Sequence, residues 1–511
     1  MKKRLVTMSL TVALMGSLMS ACGGGNNEAA TNAAGTNGGA NAEKPLEITW
    51  LNVLHTPSPP TEVVKSKLEE YTKTKISFNW VPDASKEERI TTSLASGELA
   101  DIVTLTMMDN SSVRNSLKSG LFWDVSPFLD EFENLKKIPA EVREAASIEG
   151  KLYGVPFQKN LARPGLVIRK DWLDKLGMEV PKTLDELYEV AKAFTEKDPD
   201  GNGKNDTTGF GDRNDLKYSS FKLIATYFGA PNGWMVDDSG KFTPEFETPE
   251  YVEAMKYSRD LYKNGYLAKD FAVTAKKDQQ DQFAQGKTGI YTGMIDIKNL
   301  KDKAKGIQDN MVLVPVNKIS KEPGDTNYRV WSEGNGVGGL MAFPKSEVKD
   351  EKELKRLLQF VDDLLDKEAY MLMTGGIEGT HYEFDADGAF KILDLEKWQA
   401  DVQPFSSSRP SEVTYDLKDA DPDKQKANEL VRENDKYAVL DPTVPLDSAT
   451  ANEQGTELDK IITDATFKFI MGELDEAGFQ KAVETWKKSG GDKIAEEYAA
   501  AYKIAQENKA K

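Results

Sequence analysis

From Leu46 onward the hydrophobic pattern switches repeatedly between a period of two and a period of 3.6, and this alternation restricts the available folds more than any other feature. "LEITWLN" reads as a strand, "PTEVVKSKLEEYTK" as an amphipathic helix, and "KISFNWVP" as a second strand in which Ile76, Phe78 and Trp80 alternate with polar residues. A helix around "EERITTSLASGE", a buried strand "DIVTL" and another helix follow. Strands separated by helices indicate an α/β fold with a mostly parallel sheet, and such folds bind ligands at strand ends. A second unit of like character begins at "GLVIRKDWLDKLG". The helix predicted over "TLDELYEVAKAF" opens on a Thr183–Glu186 capping pair and gathers Leu184, Leu187, Val190, Ala191 and Phe194 on one face. Further helices are predicted at "TPEYVEAMKYSRDLYKNG", "DEKELKRLLQFVDDLLD" and "GTELDKIITDATFKFIMG". A length of 511 residues allows two or three globular units.

The first 21 residues have the form of an export signal: Lys2, Lys3 and Arg4, then an apolar core, then small residues before Cys22. Cys22 is the only cysteine in the chain, so no intramolecular disulfide can form. "LMSAC" resembles the lipobox of bacterial lipoproteins, with Met19 where Leu is usual; the resemblance implies a diacylglycerol on Cys22 and a Gram-positive type attachment on the outer face of the cell membrane. Ordinary signal cleavage is the alternative. Residues 22–44, rich in Gly, Asn and Ala, read as a tether. The net charge of −18, which becomes −21 without Lys2, Lys3 and Arg4, makes nucleic acid and anionic membrane poor partners for the body.

In "DPDGNGKNDTTG", Asp198, Asp200, Asn202, the Lys204 carbonyl and Asp206 follow the oxygen order of an EF-hand loop through nine positions. The twelfth position is Gly209 in place of a bidentate Glu. Calcium fits this oxygen set better than zinc, and its expected role is to fix the loop; a plain Gly, Asn and Asp-rich turn is the alternative.

The lipobox, the tether, "LASGELADIV", "GLVIRKDWLDKLG", "PKTLDELYEVAKAF", the DPDGNGKND loop and "GGIEGTHYEF", in this order, resemble the extracellular solute-binding lipoproteins of bacterial ABC importers, family 1, in particular its long, calcium-loop-containing, oligosaccharide-capturing members. The resemblance implies a two-lobed periplasmic-binding-protein-like (type II) fold, with a hinge of two or three crossing strands and ligand in the interlobe cleft. It implies a first lobe of 45–158 plus 289–342 and a second of 159–288 plus 343–511, with crossings near Pro156–Asn160 and Phe343–Pro344. It further implies a structural calcium ion, permease subunits as partners, and a monomer. Several members carry Glu where this chain has Thr207.

Sugars stack on exposed rings while planar polar groups bond their hydroxyls. Trp234 in "APNGWMVDDSG" and Trp331 in "NYRVWSEGNGVGG", the latter flanked by Arg329 and Glu333, are the aromatic candidates. Glu378, His381 and Tyr382 in "GGIEGTHYEF", Arg163 in "KNLARPG", and Tyr218 complete the set. Each has a structural alternative, as core, buried-histidine or ion-paired loop residue. Trp50, Trp80, Trp172 and Trp486 have strand or helix spacing and are expected in the core. With two histidines, no free thiol and no G-x-S-x-G, P-loop or H-E-x-x-H motif, nucleophilic and zinc catalysis are unfavoured. A lipid-anchored glycoside hydrolase or lyase working through two carboxylates, and a lipoprotein presenting ligand to a membrane sensor, are the competing readings.

Overall fold

The computed structural model describes residues 44–509 apart from Met107, Asp109 and Ser407. The leader, Cys22 and nearly all of the expected tether lie outside the described residues. Nine strands make the two large sheets: β1 (Leu46–Leu54), β2 (Thr74–Pro82), β3 (Ile102–Leu105), β4 (Gly154–Gln158), β5 (Pro164–Arg169), β6 (Thr208–Gly211), β7 (Thr288–Met294), β8 (Leu313–Val316) and β9 (Val337–Ala342). The first sheet runs β2-β1-β3-β9-β4 and the second β8-β5-β7-β6.

In the first sheet β1 is parallel to β2 and β3, while β9 runs antiparallel between β3 and β4. The carboxyl ends of β1, β2, β3 and β4 therefore share one edge. In the second sheet Pro164, opening β5, faces Met294, closing β7, and β6 ends beside β7. The ends of β6 and β7 and the start of β5 thus form the matching edge. Each sheet has its own core, the first around Trp50, Phe122, Phe343, Phe360 and Phe405, the second around Trp172, Phe194, Phe210, Ile290 and Phe469. The α/β reading of the periodicity holds, but the expected mostly parallel sheet does not: the two large sheets are mixed, with three parallel and four antiparallel pairings, because β5, β8 and β9 run against their neighbours. The predicted helices are found at Leu184–Glu196, Pro249–Lys263, Glu351–Asp363 and Ala449–Ile470. At the capping pair the Thr183 hydroxyl accepts from Glu186 N–H, but the Glu186 carboxylate accepts from Lys182 N–H.

The lobes are divided differently from the expected 45–158 plus 289–342 and 159–288 plus 343–511. Strands β7 and β8 are hydrogen-bonded to β5 in the second sheet. The helices Glu351–Asp363 and Lys367–Thr374, with Val402 and Phe405, bury their apolar faces in the first core. The chain crosses at 159–163, again at 332–336 before β9 and not after it at Phe343–Pro344, and a third time near 421, where the helix Pro422–Asn434 starts and joins the β5 side. The crossings are bonded to one another. Lys159 N–H donates to the Gly336 carbonyl at 2.9 Å, the Ser332 hydroxyl to the Leu161 carbonyl at 2.5 Å, and the Asn335 amide to the Asp441 carbonyl at 2.7 Å.

A second tie joins the lobes through charge. Arg114, on the first-lobe helix Ser111–Lys118, donates from Nε to Asp447 at 2.9 Å and from Nη2 to the Leu446 carbonyl at 2.6 Å, and Lys118 reaches the other Asp447 oxygen at 2.6 Å. Asp447 leads into the helix Ala449–Ile470 of the second core. Burial acts to raise the Asp447 carboxyl, but Lys118, Asn452 and Arg114 outweigh it and bring it down to about 2. A carboxyl lowered in this way stabilises the fold above its ordinary range and loses that contribution as pH falls through about 2. Arg114→Ala should therefore lower the unfolding free energy by about 3 kcal/mol in urea titration, and Asp447→Asn should flatten the decline in stability between about pH 4 and 2.

Candidate functional site

A cavity of about 410 Å³ opens at the cleft-facing edge of the second sheet. Its groups come from the ends of strands and from two crossings: Arg163 before β5, Arg213, Asp215 and Tyr218 after β6, Tyr291 and Met294 on β7, Asp296 after it, and Glu333 on the second crossing. This is where an α/β sheet presents ligand-binding groups.

Glu333 is the polar centre of the cavity. It accepts from the Tyr218 hydroxyl and pairs with Arg163 at 2.5 Å. Burial acts to raise the Glu333 carboxyl, but Tyr218 and Arg163 together hold it below the ordinary carboxylate range. Burial and the Glu333 hydrogen bond push the Tyr218 phenol well up, so Tyr218 stays a donor at neutral pH. The Arg213 guanidinium lies 5.1 Å from the Tyr218 ring centre and pairs with Asp215 at 2.8 Å. The loop that carries these groups is held by Asp212, which accepts from Arg213 N–H at 2.9 Å and from the Ser220 N–H and hydroxyl. Burial raises Asp212 to about 6 against these hydrogen bonds. With Lys276 at the rim, three cationic side chains face three carboxylates, Asp215, Asp296 and Glu333.

Of the sequence-predicted candidates, the structure brings Arg163 and Tyr218 together in the cavity; the others do not line it. Trp331 is 1% exposed, in the second core, with its ring edge-on to Tyr218 at 5.6 Å. Gly334 and Gly336, both at positive φ, turn the chain just beyond the buried ring. Trp234 starts the short strand Trp234–Val236 and packs on Tyr498 at 5.3 Å and Trp486 at 6.0 Å, wedged against the C-terminal helices. Arg329 donates to the Ala230 carbonyl and does not line the cavity. His381 is fully buried: its Nδ1 accepts from Ile377 N–H at 3.0 Å, leaving Nε2 to donate to Asp401 at 3.0 Å. Tyr382 is buried in a small first-lobe cluster with Tyr370 and Phe390, and Glu378 is exposed beside it. Trp50, Trp172 and Trp486 are core residues as expected, whereas Trp80 is only half-buried. Arg213, Lys276 and Asp296 escaped the sequence reading. The available signal was position, since Arg213 and Asp296 each stand two residues beyond the end of a strand.

In the loop 198–206, Asp198 accepts the backbone N–H groups of Gly201, Asn202 and Gly203 at 3.0–3.1 Å. The Asn202 amide donates to both Asp200, at 2.8 Å, and Asp206, at 3.0 Å. Burial and the neighbouring Asp206 and Asp198 carboxylates push Asp200 above its ordinary range. The positively polarised Asn202 amide thus sits where two carboxylates converge. Among the described residues no cluster of three His, Cys, Asp or Glu groups is arranged to hold a metal ion. Gly209 cannot be replaced by a liganding Glu, because a Cβ there would lie 2.5 Å from the Ala191 carbonyl oxygen. Thr207 caps the preceding helix by donating to the Phe194 carbonyl at 2.7 Å.

Residues 56–371 match the family model described as bacterial extracellular solute-binding protein. The chain is 44% identical over 508 residues, 99% of each chain, to the polygalacturonan/rhamnogalacturonan-binding protein YtcQ of Bacillus subtilis (strain 168). It is 35% identical over 474 residues, 90% of this chain and 93% of the relative, to lipoprotein LipO of the same organism. A structure of the Streptococcus pneumoniae ABC-transporter substrate-binding protein FusA, as an EF-hand mutant in complex with fructo-nystose, shares the fold with a TM-score of 0.63 at 21% identity, covering 90% of this chain and 100% of the other. Relatives of this kind bind and do not catalyse, which sets aside the hydrolase and lyase reading. A two-lobed α/β body with its polar cavity at the crossings, matched over this length, belongs to the bacterial extracellular solute-binding proteins.

Proposed function

We propose that the protein captures an oligosaccharide between its lobes and delivers it to the permease subunits of an ABC importer, acting as a monomer. The observation that carries this reading is the cavity at the carboxyl ends of β6 and β7, bounded by two crossings and lined by guanidinium, carboxylate and phenol groups. Such planar polar groups pair with sugar hydroxyls, and crossings beside the cavity let lobe movement change its depth. Arg163 is the principal ligand contact, with Tyr218 beside it. YtcQ is described as binding polygalacturonan, and Arg163, Arg213 and Lys276, though balanced by Asp215, Asp296 and Glu333, are the cavity groups that would meet a sugar carboxylate; an acidic pectic oligomer is the first ligand class. Delivery requires the transporter to engage the closed, liganded form better than the open one. Isothermal titration with galacturonan and rhamnogalacturonan fragments should give stoichiometric binding of uncleaved sugar in the wild type, with affinity falling about tenfold or more in Arg163→Ala. Absence of heat across a broad carbohydrate panel would overturn the reading.

Cys22 is the anchor, acylated with diacylglycerol at the outer face of the membrane, in keeping with the likeness to lipoprotein LipO. The loop 198–206 takes a calcium ion through Asp198, Asp200, Asn202, the Lys204 carbonyl and Asp206. The Asn202 amide must turn its oxygen inward, which the shared contact with Asp200 and Asp206 permits. The ion neutralises three carboxylates and fixes the loop after the helix Leu184–Glu196; it performs no chemistry on ligand. Thermal melting should shift upward in calcium relative to chelator, and identical curves would exclude the ion.

A further inference from the structure

We propose that Trp80 is a sugar-stacking platform on the first lobe, near the carboxyl edge of its sheet. The inference rests on the oligosaccharide reading above and names where a pyranose ring of that ligand lies. Trp80 stands two residues before the end of β2, at the edge of the first sheet from which the first crossing departs. Phe78, on the same face of the strand, stacks on one side of the indole with ring centres 4.6 Å apart and planes at 12°. Phe405 meets it edge-on at 6.3 Å. The indole face opposite Phe78 is stacked on by no ring among the described residues.

The indole N–H also distinguishes Trp80 from the structural tryptophans of its lobe. Those of Trp50, Trp123 and Trp398 donate to the Thr104 hydroxyl and to the Val348 and Thr374 carbonyls. Trp80, half-buried, has no hydrogen-bond partner among the described residues. A rigidly backed aromatic face with an unused donor at its edge suits a pyranose, whose C–H face is apolar and whose rim carries hydroxyls. Polar recognition in one lobe and stacking in the other means that both surfaces engage the same chain only when the lobes close.

The test uses the full-length mature protein titrated with a galacturonan trimer and with a neutral xylan-type oligomer. Trp80→Leu, which keeps apolar bulk and removes the π face, should weaken binding about tenfold or more; Trp80→Phe should stay within about threefold of wild type while losing most of the ligand-induced change in tryptophan emission. Equal affinity for Trp80→Leu and wild type overturns the platform and leaves the oligosaccharide reading standing. Failure of the wild type to bind either oligomer or any sugar of a wider panel overturns both. Should Trp80→Leu melt early or fail to fold, Trp80→Phe decides alone: an emission change on binding equal to that of wild type overturns the proposal.

Discussion

The carboxylate of Glu333, held between the Tyr218 hydroxyl and the Arg163 guanidinium, is the contact on which the cleft floor depends. Arg163 belongs to the first crossing, Glu333 to the second, and Tyr218 to the loop after β6, so one acid joins three separate stretches of chain. Burying a carboxylate without partners is strongly unfavourable, and here the two donors offset the loss of water well enough to keep it ionised. The geometry around it follows: Tyr218 rests on the edge of Trp331, Arg213 lies over Tyr218, and Asp212 fixes the loop from below. Loss of either donor leaves a half-buried carboxylate with one partner in place of two, so the three stretches of chain are coupled through it.

Most of the fold was legible because it is written in local periodicity. Strands β1, β2, β3 and β5 and the long helices announce themselves through spacing that physical chemistry restricts to two patterns. Assignment to lobes was not legible, because β7, β8 and β9 are all short and apolar, β7 and β9 both interrupted by Gly, and sequence does not say which strand each pairs with. That choice is made by contacts more than a hundred residues apart.

At the site, Arg163 and Tyr218 were recoverable as polar groups near a chain crossing, while Trp234 and Trp331 were not placed correctly. Pro231, Asn232 and Gly233 before Trp234 suit an exposed loop, yet such residues also permit the tight turns by which a ring is folded inward. His381 shows the same ambiguity. A histidine among glycines suits a ligand contact, but close packing at Gly376, where a Cβ would come within 2.8 Å of Nδ1, seals it in the first lobe. The acidic loop was legible in its first nine positions and correctly read as incomplete at the twelfth, where strand β6 packs too closely on a helix for a longer side chain.

The position of β9 bears on how such a molecule can be made. It lies between β3 and β4, yet all four strands of the other sheet intervene in the chain before it is synthesised. A polypeptide emerging amino-terminus first exposes the facing backbone edges of β3 and β4 until residue 342 has appeared, so the first lobe cannot finish ahead of the second. The two halves must mature together in one late, long-range event, slow by its contact order and vulnerable to aggregation while the gap stays open.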